Sequence, residues 1–403
     1  MHSAHHAGRT PVYLDNAAST PVAQEVVDAM VPFLRLQYGN PSSLHYFGRE
    51  TNRAVQSARR KVAALVGAST KEIIFTSGGT ESDNLAIKGT ALAARRENPA
   101  KNHIVVSSIE HDAVLEPCRA LQEDGFSVTY LQVTDKGLVE PDELRGAIGS
   151  NTALVSIMLA NNEVGTIEPV RELSAVARSA GVPFHTDAVQ AAGKIPVDVG
   201  TLGIDLLSIS SHKINGPKGV GALYVRKGSR VTALMHGGGQ ESAMRSGTEN
   251  VAGIVGFGAA SELAKSRLES SRRHVEDLRD YLVKRVLAEI PDSRVNGSLE
   301  SRLPGNAHFT FLGVNGEDLI IKLDENGVAA STGSACSIHR QKASHVLKAM
   351  GFSHEEITGS LRLTIGAQNT REEMDTAVES LKKVVVELRL LSPFKRTPAT
   401  RGT

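Results

Sequence analysis

A lysine in a turn rich in glycine and proline is the first residue whose setting suggests chemistry. Lys213 follows a short, mostly apolar run, Leu206–Ser210, and precedes the turn at residues 214–219. Desolvation at the mouth of a buried strand lowers the pKa of an ammonium group and frees its nucleophilic amine, as a Schiff base requires. A solvated loop lysine is the other interpretation, and this stretch alone does not exclude it.

The turn at residues 76–82 is a candidate anion site. It follows an apolar run, contains Gly79 and Thr80, and opens a helical pattern. Backbone N–H groups at the positive end of a helix dipole, with a threonine hydroxyl beside them, suit a phosphate. An ordinary capped helix start is the alternative. The turn matches neither GxGxxG nor GxxxxGK[ST], so the sequence gives no support for a dinucleotide or P-loop triphosphate site.

Two more polar groups follow apolar runs. His111 comes just after the run at residues 104–108, and Asp187 ends the run at residues 183–188. A buried carboxylate is costly unless it meets a cation, so Asp187 belongs either to a functional pair or to a structural salt bridge. His111 is either a site residue or simply the residue that starts a helix.

The two cysteines have different surroundings. Cys336 lies among small residues that pack little core, which predicts an exposed loop thiol, and His339 and Arg340 nearby favour its thiolate. Cys118 lies within a helical pattern at residues 113–121, and we expect an inert, packed thiol there.

Arg362 lies in a later apolar run. Its two-pronged guanidinium makes it a candidate clamp for a substrate carboxylate. A surface salt bridge would account for an isolated arginine equally well.

The elements that position these groups are buried strands alternating with helices. Seven strands are predicted, at residues 73–77, 104–108, 127–133, 153–159, 183–188, 206–210 and 221–225, and helices at residues 21–36, 51–66 and 251–290. Short apolar runs without alternation are typical of a sheet that helices cover on both faces, which predicts a mainly parallel α/β domain. Ligands bind beyond the carboxyl ends of such strands, where the candidate residues fall.

Length and charge limit the function classes. With 403 residues the chain exceeds the size of one usual core, so two domains are expected. The formal charge of +1 gives no reason to expect a nucleic acid or a membrane surface as partner. Two cysteines and no apolar run of about 20 residues favour a soluble protein of the reducing cytoplasm. The N-terminal His2, His5 and His6 indicate a tail, and we expect no metal site.

The candidate groups together suit one cofactor. Pyridoxal 5'-phosphate needs a lysine for its Schiff base, an acid that keeps its ring nitrogen protonated, and an anchor for its phosphate. Lys213, Asp187 and the turn carrying Thr80 supply these three, and His111 lies near them. The set is far more specific than any single member.

The order of motifs resembles the cysteine desulfurases of the NifS/IscS branch, in the aminotransferase class V group of fold-type I pyridoxal-phosphate enzymes. The resemblance covers residues 13 to about 375, and its motifs are at residues 13–15, 39–43, 75–82, 110–111, 161–165, 185–190, 210–213, 216–219, 236–239, 245–248 and 331–336. The pattern of the other branch, Arg-x-Gly-His-His-Cys, does not occur.

The resemblance implies a role for each matched residue. Lys213 would attach the cofactor, Asp187 would pair with its ring nitrogen, His111 would stack on the ring and move protons, and Asn162 and Gln190 would contact the ring hydroxyl. The phosphate would be held by Gly79, Thr80, Ser210 and His212, with Thr248 reaching across from a second subunit. Asn40 and Arg362 would bind the substrate carboxylate.

The resemblance also implies a fold-type I architecture, a homodimer and a reaction. The domains would be an N-terminal segment at 1–15, a large cofactor-binding domain at 16–265, and a small α+β domain at 266–403 with a disordered tail. L-cysteine would become L-alanine and leave a persulfide on Cys336 for a protein acceptor, such as an iron–sulfur scaffold or a thiolation enzyme. The alternatives are another class V enzyme, such as an aminotransferase or a selenocysteine lyase, and an inactive homologue in sulfur relay.

Overall fold

The computed structural model describes residues 11–333 and 343–391 of the chain. Its strands are β1 Val12–Tyr13, β2 Ile73–Thr76, β3 His103–Ser107, β4 Ser127–Leu131, β5 Thr152–Ser156, β6 Phe184–Asp187, β7 Leu206–Ser210, β8 Gly221–Val225, β9 Ser293–Val295, β10 Asn306–Phe311, β11 Val328–Ala329 and β12 Ser360–Thr364. Its α-helices are α1 Gln24–Arg35, α2 Tyr46–Leu65, α3 Gly79–Glu97, α4 Asp112–Glu123, α5 Pro141–Ala147, α6 Val170–Ser179, α7 Val199–Leu202, α8 Val251–Glu289, α9 Gly316–Glu325, α10 His345–Ala349, α11 His354–Thr358 and α12 Arg371–Leu391.

A seven-stranded sheet forms the large lobe, in the order β2-β8-β7-β6-β5-β3-β4. Only β8 runs antiparallel to its neighbours, and the remaining pairs are parallel. Every residue of β3, β5 and β7 is buried, as expected for apolar strands covered on both faces. The predicted mainly parallel, seven-stranded α/β sheet is confirmed.

The small lobe contains the antiparallel sheet β12-β10-β9 and the short parallel pair of β1 and β11. Residues 12–13 therefore join the small lobe, although the chain continues directly into the large one. No helix within residues 11–333 and 343–391 is long and apolar enough to cross a membrane.

The long helix α8 belongs to both lobes. Ile254 and Phe257 in its first half pack into the core of the large lobe, whereas Leu278 and Leu282 in its second half pack into the core of the small lobe. One continuous helix therefore passes from the core of the large lobe to that of the small lobe. The domain boundary at residues 265/266 stays a prediction.

Two helices start at positions other than those predicted. The first begins at Gln24, after Pro21, and the second begins at Tyr46, five residues before the predicted start at residue 51. His45 caps the second helix, since its side chain accepts a hydrogen bond from Gly48 N at 3.3 Å. Its first turn exposes aromatic side chains, so no apolar periodicity marked it.

Six connections leave the large sheet at one edge. Because β8 is antiparallel to both β2 and β7, those two strands run in the same direction as β6, β5 and β3. The segments that follow β2, β3, β4, β5, β6 and β7 therefore leave at the carboxyl edge, which is the usual ligand-binding edge of such sheets.

Candidate functional site

Lys213 lies at this edge, in the short helical turn Ser211–Lys213 that follows β7. Its Nζ donates hydrogen bonds to Ala17 O at 2.6 Å and to Ala18 O at 2.8 Å. The segment that links β1 to the large lobe therefore fixes the position of the amine. The partly buried amine is not a solvated loop lysine.

The residues predicted to bind an anion line a cleft that we call the α3 cleft. Its volume is about 330 Å³, and its lining includes Gly79, Thr80, Ser210 and His212. Helix α3 has no side-chain cap at its start, and Ser210 Oγ is buried with no hydrogen-bond partner in the described part of the chain. A helix start without a cap and an unpaired buried hydroxyl are suited to holding a phosphate.

Close packing sets the shape of the α3 cleft. A Cβ added at Gly79 would lie 2.9 Å from Val189 Cγ2, in the turn after Asp187. Nearby, Ser77 N donates to Glu81 Oε2 at 2.7 Å, and Glu81 pairs with Arg245 at 2.9 Å. The one acidic side chain of this lining is thus already neutralised, so it does not oppose an anion.

His212 faces the α3 cleft as a neutral ring. Burial lowers its pKa to about 4, and the charges of Lys213, Lys218 and Lys194 act in the same direction. Its Nδ1 lies 3.2 Å from Ser19 Oγ. At neutral pH the ring therefore contributes a hydrogen bond, not a charge.

Asp187 ends β6, two residues before Val189, whose side chain lies against Gly79 of the α3 cleft, and it is 6% exposed. Its Oδ1 accepts a hydrogen bond from Val189 N at 2.8 Å, which orients the carboxyl group. On balance its pKa is raised, because the effect of burial outweighs the opposing effects of His111, of this hydrogen bond and of Lys213. The predicted lysine, acid and histidine are therefore electrostatic neighbours.

His111 starts a helix and also lies close enough to Asp187 to act on it. It caps α4, where its Nδ1 accepts a hydrogen bond from Ala113 N at 3.0 Å, and its charge lowers the pKa of Asp187. Because Nδ1 accepts this hydrogen bond, the ring carries its proton on Nε2 when it is neutral, and it lowers the pKa of Asp187 only when it is protonated.

A second cleft, of about 420 Å³, lies between the lobes and is called the interlobe cleft here. Asn162, Gln190 and Lys213 are among its lining residues. Gln190 Nε2 donates to Ala17 O at 2.9 Å. The shared contact with Ala17 places Gln190 and Lys213 side by side.

Lys194 also lines the interlobe cleft, and sequence reasoning missed it. Its Nζ donates to Gln190 Oε1 at 2.9 Å. Burial lowers its pKa to about 7, and Lys213 and Arg362 add to that shift. The available signal was a lysine four residues after Gln190, just beyond a strand end.

Arg362, on β12, lies between the lobes with a side chain only 3% exposed. Its Nη1 donates to Asn162 O at 2.9 Å, its Nη2 pairs with Asp15 Oδ1 at 2.9 Å, and its Nε is buried without a partner in the described chain. The surface salt bridge considered for this residue is wrong, because the pair is largely buried.

The structure leaves some candidates apart from this group. Thr248 and Asn40 are exposed, and neither lines the α3 cleft or the interlobe cleft in the described chain. Residues outside the described part of the chain are Cys336, His339, Arg340, the N-terminal histidines and the tail at 392–403. Cys118 is fully buried, and burial raises its pKa to about 12, so the predicted inert thiol is confirmed.

Comparisons with known proteins agree with this architecture. A family model described as aminotransferase class V matches residues 12–376. A curated relative called cysteine desulfurase IscS, from Dictyoglomus turgidum, is 51% identical over 385 residues, which cover 96% of this chain and 97% of the relative. Another of that name, from Methanosarcina thermophila, is 51% identical over 95% of this chain and 94% of its own.

Solved structures are also similar. A NifS-like protein superposes with a TM-score of 0.88 at 39% identity, over 94% of this chain and all of its own. SspA, solved in complex with cysteine, has a TM-score of 0.79 at 37% identity, over 89% of this chain and 100% of that one. The predicted fold-type I architecture is therefore confirmed.

Proposed function

The chain belongs to the cysteine desulfurases of the aminotransferase class V family, and we propose from this premise that it uses pyridoxal 5'-phosphate to convert L-cysteine to L-alanine. The observation that carries the proposal is the meeting of Lys213, Asp187 and the α3 cleft at one sheet edge. An amine, an acid and an anion site are what this cofactor needs from a protein.

The residues of the α3 cleft fit the phosphate. The start of α3, the Ser210 hydroxyl and neutral His212 offer donors, and Thr80 stands in the first turn of the helix. Asp187 would face the ring nitrogen, with His111 and Lys213 nearby. When bound, the cofactor draws electrons from the substrate carbon.

The N-terminal segment holds the side chains of Lys213 and Gln190 next to each other. Both side chains donate to Ala17 O, and Asn162 lines the same cleft. In the proposal Lys213 supplies the amine that attaches the cofactor, while Gln190 and Asn162 contact its ring hydroxyl. Lys194 keeps the Gln190 amide oriented through its hydrogen bond to Oε1.

Arg362 is proposed to bind the substrate carboxylate. Its guanidinium donates a hydrogen bond to the backbone oxygen of Asn162, a residue that lines the interlobe cleft. Its buried Nε has no partner in the described chain. A planar guanidinium with unsatisfied donors is well suited to a carboxylate. Asn40 is proposed as the second carboxylate ligand, supplied when the subunits assemble.

Cys336 is proposed as the sulfur acceptor. Its thiolate attacks the substrate sulfur, so that a sulfur–sulfur bond forms and the carbon–sulfur bond breaks. The electron pair of the broken bond returns to the substrate carbon, which takes up a proton and leaves as alanine. The persulfide left on Cys336 then passes to a protein acceptor, for iron–sulfur cluster assembly or another thiolation.

A homodimer is part of the proposal. Exposed apolar side chains concentrate on α1, the following turn and the start of α2, at Val22, Val27, Val31, Leu34, Leu36, Tyr38, Leu44, Tyr46 and Phe47. A concentration of exposed apolar side chains of this kind favours association with a second subunit. Thr248 and Asn40, which are exposed in one subunit, would then complete a site shared with the second.

The proposed location is the cytoplasm, since a chain with two cysteines has no disulfide framework.

The test is turnover of the purified, cofactor-loaded protein with L-cysteine. Alanine and thiol-releasable sulfide are expected in equal amounts, and Lys213→Arg, which keeps the charge but not the attachment, abolishes both. An amino-group transfer to a keto acid without sulfide release would contradict the proposal in favour of an aminotransferase.

A further inference from the structure

A second buried carboxyl group lies close to Asp187. Asp83 projects from the second turn of α3 and is 1% exposed. Its Oδ1 lies 3.6 Å from His185 Nε2 and has no hydrogen-bond partner in the described chain. No feature of the sequence had singled out Asp83 or His185.

A chain of buried polar side chains leads away from this carboxyl group. His185 Nε2 lies 3.0 Å from Ser208 Oγ, and His185 Nδ1 lies 2.8 Å from Ser156 Oγ. Ser208 also lies close enough to the Asp83 carboxyl group to lower its pKa. All three members of the chain are 0% exposed, so water does not compete for these bonds.

The strand register places this chain next to Asp187. His185 precedes Asp187 by two residues on β6, so both side chains lie on one face of the sheet. Ser208 is the partner of Asp187 across the parallel pair of β6 and β7. Ser208 and His185 are therefore neighbours both of Asp83, which comes from α3, and of Asp187 on β6.

Burial raises the pKa of both acids, but only for Asp187 do nearby cationic side chains oppose the shift. Burial raises the pKa of Asp83 well above its usual value, and the charges of Asp187 and Glu110 raise it further, whereas the interaction with Ser208 lowers it. Burial lowers the pKa of His185 to about 3, so that this ring offers no cation to Asp83. The charges of Lys213 and of a protonated His111 lower the pKa of Asp187 instead. Two neighbouring acids in different environments take different charge states.

We propose that Asp83 is a positioning residue: it remains a neutral acid that donates to Ser208 and, through Ser208, to His185, so that Asp187 is the anion left to face the cofactor ring. The inference rests on the proposed function. Asp83 O–H donates to Ser208 Oγ, Ser208 O–H donates to His185 Nε2, and His185 Nδ1–H donates to Ser156 Oγ.

The tautomer of His185 therefore reports the charge of Asp83. An ionised Asp83 would accept the Ser208 proton, and His185 would then donate from Nε2. A second negative charge beside Asp187 would also raise the pKa of Asp187 and weaken its pairing with a protonated ring nitrogen.

The first arm of the test uses cofactor-free protein. The ring nitrogens of ¹⁵N-labelled histidine are observed by NMR, and His185→Gln identifies the His185 signals. We expect the Nδ1–H tautomer in the wild type and in Asp83→Asn, whose amide keeps a donor toward Ser208. An Nε2–H tautomer in the wild type would overturn the inference. Because no cofactor takes part, this outcome is independent of the proposed function.

The second arm measures the dissociation constant of pyridoxal 5'-phosphate by equilibrium dialysis. Asp83→Asn should bind within about twofold of the wild type, whereas Asp83→Ala, which leaves Ser208 without its donor, should bind about tenfold more weakly. Glu168→Gln, at another buried acid, is the matched control and should bind as the wild type does. An Asp83→Asn variant that binds as weakly as Asp83→Ala would show that Asp83 acts as an anion and would overturn the inference.

Discussion

The Arg362 guanidinium pairs with the Asp15 carboxylate, with Nη2 and Oδ1 2.9 Å apart. Asp15 directly precedes the segment whose carbonyl groups hold Lys213, at Ala17 and Ala18. The proposed substrate ligand and the proposed cofactor lysine are therefore both tied to one short N-terminal segment. A substrate carboxylate would approach an arginine whose charge is already balanced but whose Nε is unused.

The first prediction concerns the specificity of this arginine. Arg362→Lys should raise the KM for L-cysteine about ten- to hundredfold, because an ammonium group cannot reproduce the planar donor pair of guanidinium. The value of kcat should change less. Asp15→Asn is the matched control: it removes the partner's charge and keeps its shape, so KM should stay within about threefold of the wild type or fall. Steady-state kinetics with an unchanged KM in Arg362→Lys would show that another group binds the carboxylate.

The second prediction concerns the packing of the α3 cleft. Gly79→Ala places a Cβ 2.9 Å from Val189 Cγ2, so either the start of α3 or the turn that orients Asp187 must shift. Cofactor affinity, measured by dialysis, should fall about tenfold. The double variant Gly79→Ala/Val189→Ala should recover most of this loss, since it removes the contacting methyl groups.

Gly146→Ala is the control for this substitution. Gly146 lies in α5, and nothing stands within 4 Å of the position that the new methyl group would occupy, so the change should leave affinity unaltered and raise stability by up to about 1 kcal/mol. Normal affinity in Gly79→Ala would mean that the helix start is not held against the Asp187 turn.

The third prediction concerns pH. Glu168 is 3% exposed, and burial raises its pKa to about 8, above the ordinary value of 4.5. Between these two values the folded protein binds a proton that the unfolded chain releases. The Glu168 contribution to stability is therefore fully present below about 4.5 and is lost as pH rises toward 8, by at most about 1.4 kcal/mol per pH unit.

Glu168→Gln isolates this contribution, because its amide has a similar shape and does not titrate. The difference in unfolding free energy between variant and wild type should shift in favour of the variant as pH rises from 5 to 8. Denaturant unfolding at several pH values measures this shift. A difference that stays constant over the range would show that Glu168 is ionised in the folded protein.

The repeated strands and the residues at their ends could be read from the sequence because their determinants are local. The runs ending near Ser107, Asp187 and Ser210 are apolar and short, and each is a strand within a few residues of its prediction. A parallel sheet then brings their carboxyl ends together, which is why Lys213, Asp187 and the α3 cleft were predicted to meet.

The partners of those residues could not be predicted, because they depend on contacts between distant segments. Asp15 reaches Arg362 across 347 positions, and Ala17 receives Lys213 across 196. Asp83 reads as one polar residue in a helix, and only the packing of α3 on β6 and β7 places it beside His185 and Ser208. The start of α2 was missed because its first turn presents aromatic residues outward.

The measurement that tests the central claim most directly is the yield of alanine from L-cysteine by Cys336→Ala, compared with the wild type and with Cys118→Ala. Cys118 is fully buried, and Cys118→Ala should release alanine and sulfide in equal amounts at a rate close to that of the wild type. Cys336→Ala should bind pyridoxal 5'-phosphate normally and release neither product, because no thiolate is available to take the substrate sulfur. Wild-type rates of alanine release from Cys336→Ala would contradict the account.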